Sequence, residues 1–355
     1  MLNNFKKYFI NVFFIFASFV YTNILALNEE IPNLNEETPN LNQEIPNYEE
    51  IAKDILTKHD FKDITTIGQG TEKIVFSGTK IENDEKKEMA CSYFIPVKDP
   101  ERRFLRELNL LQKLKHPNII KYLGYIYDKP NKIYIIFTMR AENSLDYFLY
   151  HYYKELNIKH KLQISLGAIA AINMLHHNNL VHQDIKPDNF LYSCNKKIDF
   201  INIWLTDFTF TKNEEISEFF KGTIFYTPSE NILIKSIDPN KQQKTYNISK
   251  AADIHSFGVT LYEIFYGKKF FKTIKKENKE EIKNMPIYEN DTKKREPIIQ
   301  LIANGVRPKL DDSVVQYPII NEIIEKCWNP DPDKRPNALD IFNALKKLYI
   351  EITDI

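Results

Sequence analysis

The sequence predicts an α+β fold, with a small β-rich domain carrying one helix followed by a larger helical domain. Short β-rich runs occupy Ile64–Ile67, Ile74–Ser77, Met89–Phe94 and Lys132–Phe137. One amphipathic segment, Glu101 to Leu114, interrupts them and lines up Phe104, Leu105, Leu108, Leu111 and Leu114 on one face. From about Leu145 onward helical patterns dominate. A chain of 355 residues, 43% of them apolar, can bury a sizeable core in one large domain or two.

Charge and cysteine content narrow the classes. The 48 basic and 48 acidic residues cancel, so no nucleic-acid partner is expected. Cys91, Cys194 and Cys327 are too few and too scattered for a disulfide framework or a CxxC zinc site, and read as reduced or buried thiols.

The N-terminus stands apart. Met1 to Lys7 carries two lysines, and Tyr8 to Leu27 is apolar up to Ile24-Leu25-Ala26. Residues 1–27 fit either a cleaved signal peptide or a retained signal anchor. Both predict the secretory pathway or a membrane, the anchor with membrane attachment through residues 8–27. Three near-copies of a seven-residue unit follow, EEIPNLN, EETPNLN and QEIPNYE. A proline in each copy excludes a coiled coil. Residues 28–57 therefore read as a disordered acidic, proline-punctuated tether.

The chemistry lies downstream. His182-Gln183-Asp184-Ile185-Lys186-Pro187-Asp188-Asn189 resembles the catalytic loop of eukaryotic protein kinases, H-R-D-x-x-x-x-N. Phosphoryl transfer needs a carboxylate beside the attacking hydroxyl, a cation by the moving phosphate and a metal ligand nearby. The resemblance implies Asp184 as base, Lys186 at the γ-phosphate and Asn189 on Mg²⁺. Lys186 at this position is the Ser/Thr-kinase pattern. Asp207-Phe208-Thr209 resembles the D-F-G motif, with Asp207 as the second metal ligand and a β-branched Thr209 that should restrict backbone flips.

Further matches extend the likeness. Gly222 to Glu230 resembles the end of the activation segment, and its peptide-binding character argues for a protein substrate over a small hydroxyl compound. Glu230 would pair with Arg335, and Asp253 in Asp253-Ile254-His255-Ser256-Phe257-Gly258 would brace the catalytic loop. Glu107 is similar to the glutamate of the small-lobe helix. Gly305-Val306-Arg307-Pro308 and Cys327-Trp328 resemble tyrosine-kinase-like Ser/Thr kinases. The resemblance implies a bilobal protein-kinase fold over residues 58–350, with an N-lobe at 58–138 and a C-lobe at 141–350.

One position departs from the pattern. Where most kinases read V-A-I-K in the third strand, this chain reads Met89-Ala90-Cys91-Ser92. Serine cannot neutralise phosphate oxygens. The glycine loop, Gly68-Gln69-Gly70-Thr71-Glu72-Lys73, carries lysine in place of its third glycine. The two changes are complementary and resemble the with-no-lysine kinases. Lys73 is thus the candidate for contact with phosphate and with Glu107. By the same resemblance ATP would lie between Ile67, Gly68, Gly70, Val75 and Ala90 above and Leu191 below, with Phe137 as gatekeeper and the backbone of Thr138 and Arg140 as hinge. The expected activity is ATP- and Mg²⁺-dependent transfer to protein hydroxyls; the alternative is a pseudokinase acting as a nucleotide-binding or scaffold module. Gln183 replaces the arginine that anchors a phosphorylated activation loop, so phosphorylation of Thr211 or Ser217 should not be required. Residues 239–244 read as a surface loop.

Overall fold

The computed structural model describes residues 47–353 apart from 71, 83, 98, 196–199, 214, 218–221, 237–245, 284 and 286–295. The expectations for residues 1–27, for residues 28–46 and for the loop at 239–244 lie outside the described residues. Among the described residues no helix is long and apolar enough to cross a membrane.

The small lobe is a five-stranded antiparallel sheet in the order β1-β2-β3-β5-β4. Its strands are β1 (Lys62–Gln69), β2 (Lys73–Glu82), β3 (Glu85–Phe94), β4 (Tyr122–Asp128) and β5 (Ile133–Met139). The aromatic strand β4 was not expected from the sequence. Alternation along the strands divides the side chains between two faces. The outer face carries Ile74, Phe76, Met89, Cys91, Tyr93, Ile135 and Phe137 in one buried cluster. On the inner face Phe94, Tyr134 and Ile136 join Phe104 and Leu108 of the helix α2 (Pro100–Lys113). Asp99 caps α2 by accepting from the Arg102 amide at 3.2 Å, and Pro100 occupies the first turn, where a missing N–H costs nothing.

Residues 48–57 are not a tether. Tyr48–Lys58 form a helix, α1, and Ala52, Ile55 and Leu56 are buried against the outer face beside Phe61 and Phe76. Their spacing is the apolar stripe of an amphipathic helix, and without it the outer face would be open to water.

The helical lobe is built on α3 (Leu145–Tyr152), α4 (Ile158–His177), α5 (Lys250–Tyr266), α6 (Pro318–Cys327) and α7 (Ala338–Thr353). Every residue of α5 from Asp253 to Tyr266 is buried, the mark of a helix surrounded by others. Gly267 ends it with φ at 62°, a conformation that needs no Cβ. A short sheet joins Asn143–Ser144, β6 (Phe190–Cys194) and β7 (Ile201–Leu205); β6 follows the catalytic loop and β7 leads into Asp207.

Candidate active site

Asp253 organises the catalytic loop. Only 1% exposed, it accepts from the backbone amides of His182 at 2.8 Å and Gln183 at 2.9 Å. His176 on α4 approaches its carboxylate at 3.1 Å. Two backbone donors satisfy a charge that burial would otherwise make costly. The loop is bent accordingly, with Gln183 at φ 71°. Buried His182 contacts the Thr206 carbonyl at 3.1 Å and sets its ring edge-on to Phe208, 5.5 Å between centroids.

Asp184 is the hub. Its Oδ1 accepts from the amide and the hydroxyl of Thr223, both at 2.8 Å. Its Oδ2 accepts from Lys186 Nζ at 2.7 Å and from Asn189 Nδ2 at 2.9 Å. Lys186 also donates to Thr223 Oγ1 at 2.6 Å. The Asn189 amide nitrogen is thus turned to Asp184, with a second bond to the Asp184 carbonyl at 2.7 Å, which points its Oδ1 the other way. Thr223 belongs to this cluster, although the sequence marked it only as part of a peptide-binding stretch.

A second cluster forms around Lys73. Its Nζ lies 2.9 and 3.2 Å from the two carboxylate oxygens of Glu107 and 2.6 Å from Asp207 Oδ1. It also stands 5.4 Å from the centre of the Phe94 ring. Burial opposes charge on Lys73, yet Asp207 and then Glu107 hold its pKa above the usual lysine range. Burial would raise the Asp207 carboxyl too, but Lys73 overrides it and keeps Asp207 well below the usual carboxylate range. At Glu107 burial prevails, and its pKa is raised. Ser92 points to the same face of the sheet, paired with Val75, while Lys73 pairs with Phe94.

Thr209 does more than occupy the glycine position. The backbone there is a 3-10 turn, Phe208–Phe210, and the left-handed residue is Asp207, φ 61°. The Thr209 hydroxyl lies 2.9 Å from Glu107 Oε2 and 2.8 Å from Asp207 Oδ1, and its carbonyl accepts from Arg106 at 3.2 Å. Gln183 donates its side-chain amide to the Phe210 carbonyl, so the position usually held by arginine ties the same turn down. Thr211 is 1% exposed. Farther out, Arg335 meets Glu230 through two parallel bonds of 2.7 and 2.9 Å.

The sheet register corrects one assignment. Phe137 is not the gatekeeper. It pairs with Cys91 and packs on Phe61 of the outer face, 4.9 Å between ring centres. The side chain facing the cleft is its neighbour Thr138, directly opposite Ala90. The same one-residue shift would carry the expected hinge from Thr138 and Arg140 to Met139 and Ala141. Arg140 instead uses its guanidinium on the carbonyls of Ala141 and Glu142. Gly68, half-buried, pairs with Val75, Ile67 is exposed above them, and the Gly70 amide closes the loop onto the Lys73 carbonyl at 2.8 Å. Leu191 is half-buried and lies on the face of β6 opposite the core residues Phe190 and Tyr192.

Asp207 and Asn189 present two hard oxygen groups, the donor chemistry that Mg²⁺ prefers, with the rest of such a shell left to phosphate and water. The Gly68–Gly70 backbone, the small Ala90 and the Lys73 ammonium suit a nucleotide triphosphate.

A two-lobed fold that gathers an aspartate hub, an amide beside it and a lysine–carboxylate cluster is the architecture of the protein kinase class. Residues 61–348 match the protein kinase domain, and the chain belongs to the protein kinase family. It is 24% identical over 273 residues to the serine/threonine-protein kinase STY17 of Arabidopsis thaliana, covering 74% of this chain and 42% of that protein. It is 24% identical over 316 residues to the dual specificity protein kinase shkA of Dictyostelium discoideum, covering 84% and 52%. A putative serine/threonine-protein kinase of Acanthamoeba polyphaga mimivirus is 30% identical over 247 residues, covering 68% of this chain and 78% of the viral protein. The chain thus spans about half or less of the Arabidopsis and Dictyostelium relatives.

Proposed function

We propose that the protein is an active Ser/Thr kinase that transfers the γ-phosphate of ATP to hydroxyls of a protein substrate, with Lys73 as its phosphate-binding lysine. The observation that carries this reading is the contact of one half-buried ammonium with both Glu107 and Asp207. A neutral Ser92 in strand β3 would leave Glu107 as a buried carboxylate without a cation, an arrangement that costs several kcal/mol. Lys73 offsets part of that cost.

The roles follow from chemistry. Asp184 accepts the proton of the substrate hydroxyl and orients its oxygen. Lys186, tied to Asp184 and Thr223, balances charge on the transferring group. Asn189 and Asp207 would hold Mg²⁺, which when bound neutralises phosphate charge. Lys73 orients the phosphates, and Glu107 orients Lys73.

The test is ATP-dependent autophosphorylation, and phosphorylation of a generic basic protein, by the full chain. Lys73→Met and Asp184→Asn should each lose at least about 100-fold in rate, while Ser92→Ala stays near wild type. Ser92 and Thr209 favour the pseudokinase reading. Mg·ATP binding by the parent protein without any transfer would establish it.

A further inference from the structure

Arg103 is a buried cation with no part in the chemistry described so far. It is 6% exposed and stands one turn before Glu107 on α2, so the two share a helix face. Its Nη1 donates to the Glu72 carbonyl at 3.2 Å and lies 3.4 Å from the Glu72 carboxylate. Its Nη2 donates to the carbonyl of Ile95, at 3.0 Å, and to that of Val97. The Ile95 amide returns a bond to the Glu72 carbonyl at 3.0 Å.

Glu72 is the residue immediately before Lys73. Two neighbours at the root of β2 are therefore gripped from successive turns of one helix, Glu72 by Arg103 and Lys73 by Glu107. The need for such a grip follows from where the lysine sits. A lysine at position 92 of β3 would have a hydrogen-bonded strand on either side. Lys73 is the first residue of β2, next to a glycine turn, and its register partner Phe94 is the last residue of β3. A strand end beside a glycine loop is where backbone position is least defined. A planar guanidinium reaching three carbonyls can define it, whereas an ammonium has no such fork.

Resting on the reading of Lys73 as the phosphate-binding cation, we propose that Arg103 is its positioning residue. It locks the root of β2 to α2 and to the Ile95–Val97 segment, and so aims the Lys73 ammonium at the phosphates. The consequence is a mechanical one: the phosphate loop and α2 move as a unit.

The test is a double-mutant cycle in the full chain, with Arg103→Met, Lys73→Met and both together. Each is assayed for kcat and KM for ATP well below its melting temperature. Arg103→Met should lower kcat about tenfold in the parent, yet change the residual rate of Lys73→Met by less than about twofold. Arg103→Lys, which keeps charge and stem but loses the fork, should fall between parent and Arg103→Met; it is read by the same cycle if Arg103→Met does not fold. Equal losses in both backgrounds, or a lowered melting temperature with unchanged kcat, would overturn the proposal. A Lys73→Met protein as active as its parent would instead remove the lysine reading on which it rests.

Discussion

The Lys73 ammonium reaches Glu107 at 2.9 Å from the strand that follows the glycine loop. On the proposed function, the phosphate cation and the phosphate-covering backbone are then one segment of chain. In the arrangement implied by the V-A-I-K pattern they are separate.

That geometry predicts a rescue. Ser92 faces the same side of the sheet as Lys73. Installing Ser92→Lys in the Lys73→Met protein should return activity to within about tenfold of wild type, because effective concentration depends on where the ammonium arrives and not on which strand bears it. A double variant no better than Lys73→Met alone would show that Glu107 is not reachable from β3.

Thr209 makes a second testable link. Its hydroxyl bridges Glu107 and Asp207, both inside the lysine cluster. Thr209→Val keeps the shape and removes the polar atom. It should cost about 1–2 kcal/mol of stability by chemical denaturation, with a fall in kcat of about tenfold. A neutral result on both counts would make the hydroxyl a bystander.

Activation-loop phosphorylation should be dispensable. The Thr211 hydroxyl is buried, and Gln183 already fastens the turn before it through the Phe210 carbonyl. The double substitution Thr211→Ala, Ser217→Ala should leave kcat within about twofold of wild type. Loss of more than tenfold would mean that a phosphate on Thr211 or Ser217 is needed and is anchored by a group other than residue 183.

His255 sets a pH limit on folding. Arg307 donates to its Nε2 at 3.1 Å and its Nδ1 meets the Tyr226 carbonyl at 3.3 Å, so the ring is held neutral. Burial first, then the charges of Arg307 and Arg335, push its pKa well below the usual value. Below about pH 6.5 the unfolded chain binds a proton that the folded one refuses. The stability is therefore full above that value and falls as pH drops, by at most about 1.4 kcal/mol per unit. Thermal melting between pH 7.5 and 5.5 should show this slope, and His255→Gln should flatten it.

Much of the site was legible because its residues stand in short contiguous runs. His182 to Asn189 and Asp207 to Thr209 carry their identity in spacing, and the structure brings Asp184, Lys186 and Asn189 within hydrogen-bond reach. The complementary change at Ser92 and Lys73 was visible for the same reason. The misses are of a different kind. Phe137 was one residue out because the sheet face depends on register, and β4 shifts register between Tyr122 and Gly124. Tyr48–Lys58 was hidden by the proline repeat running into it, though Ala52, Ile55 and Leu56 already showed helical spacing. Arg103 carries no signal in the sequence, since nothing local announces that its acceptors are backbone carbonyls at Glu72, Ile95 and Val97.

Placing the lysine at the root of β2 also changes how the protein would be found by chemistry. On the proposed function, a nucleotide analogue that acylates amines beside its phosphates would mark Lys73 as well as Lys186 of the catalytic loop, while Ser92 offers no amine. Trypsin then cannot cut at the blocked lysine. The fragment carrying a labelled Lys73 would run from residue 63 to residue 80, bounded by Lys62 and Lys80. A survey that searches only for tagged third-strand peptides would count this kinase as silent while its glycine loop carried the label.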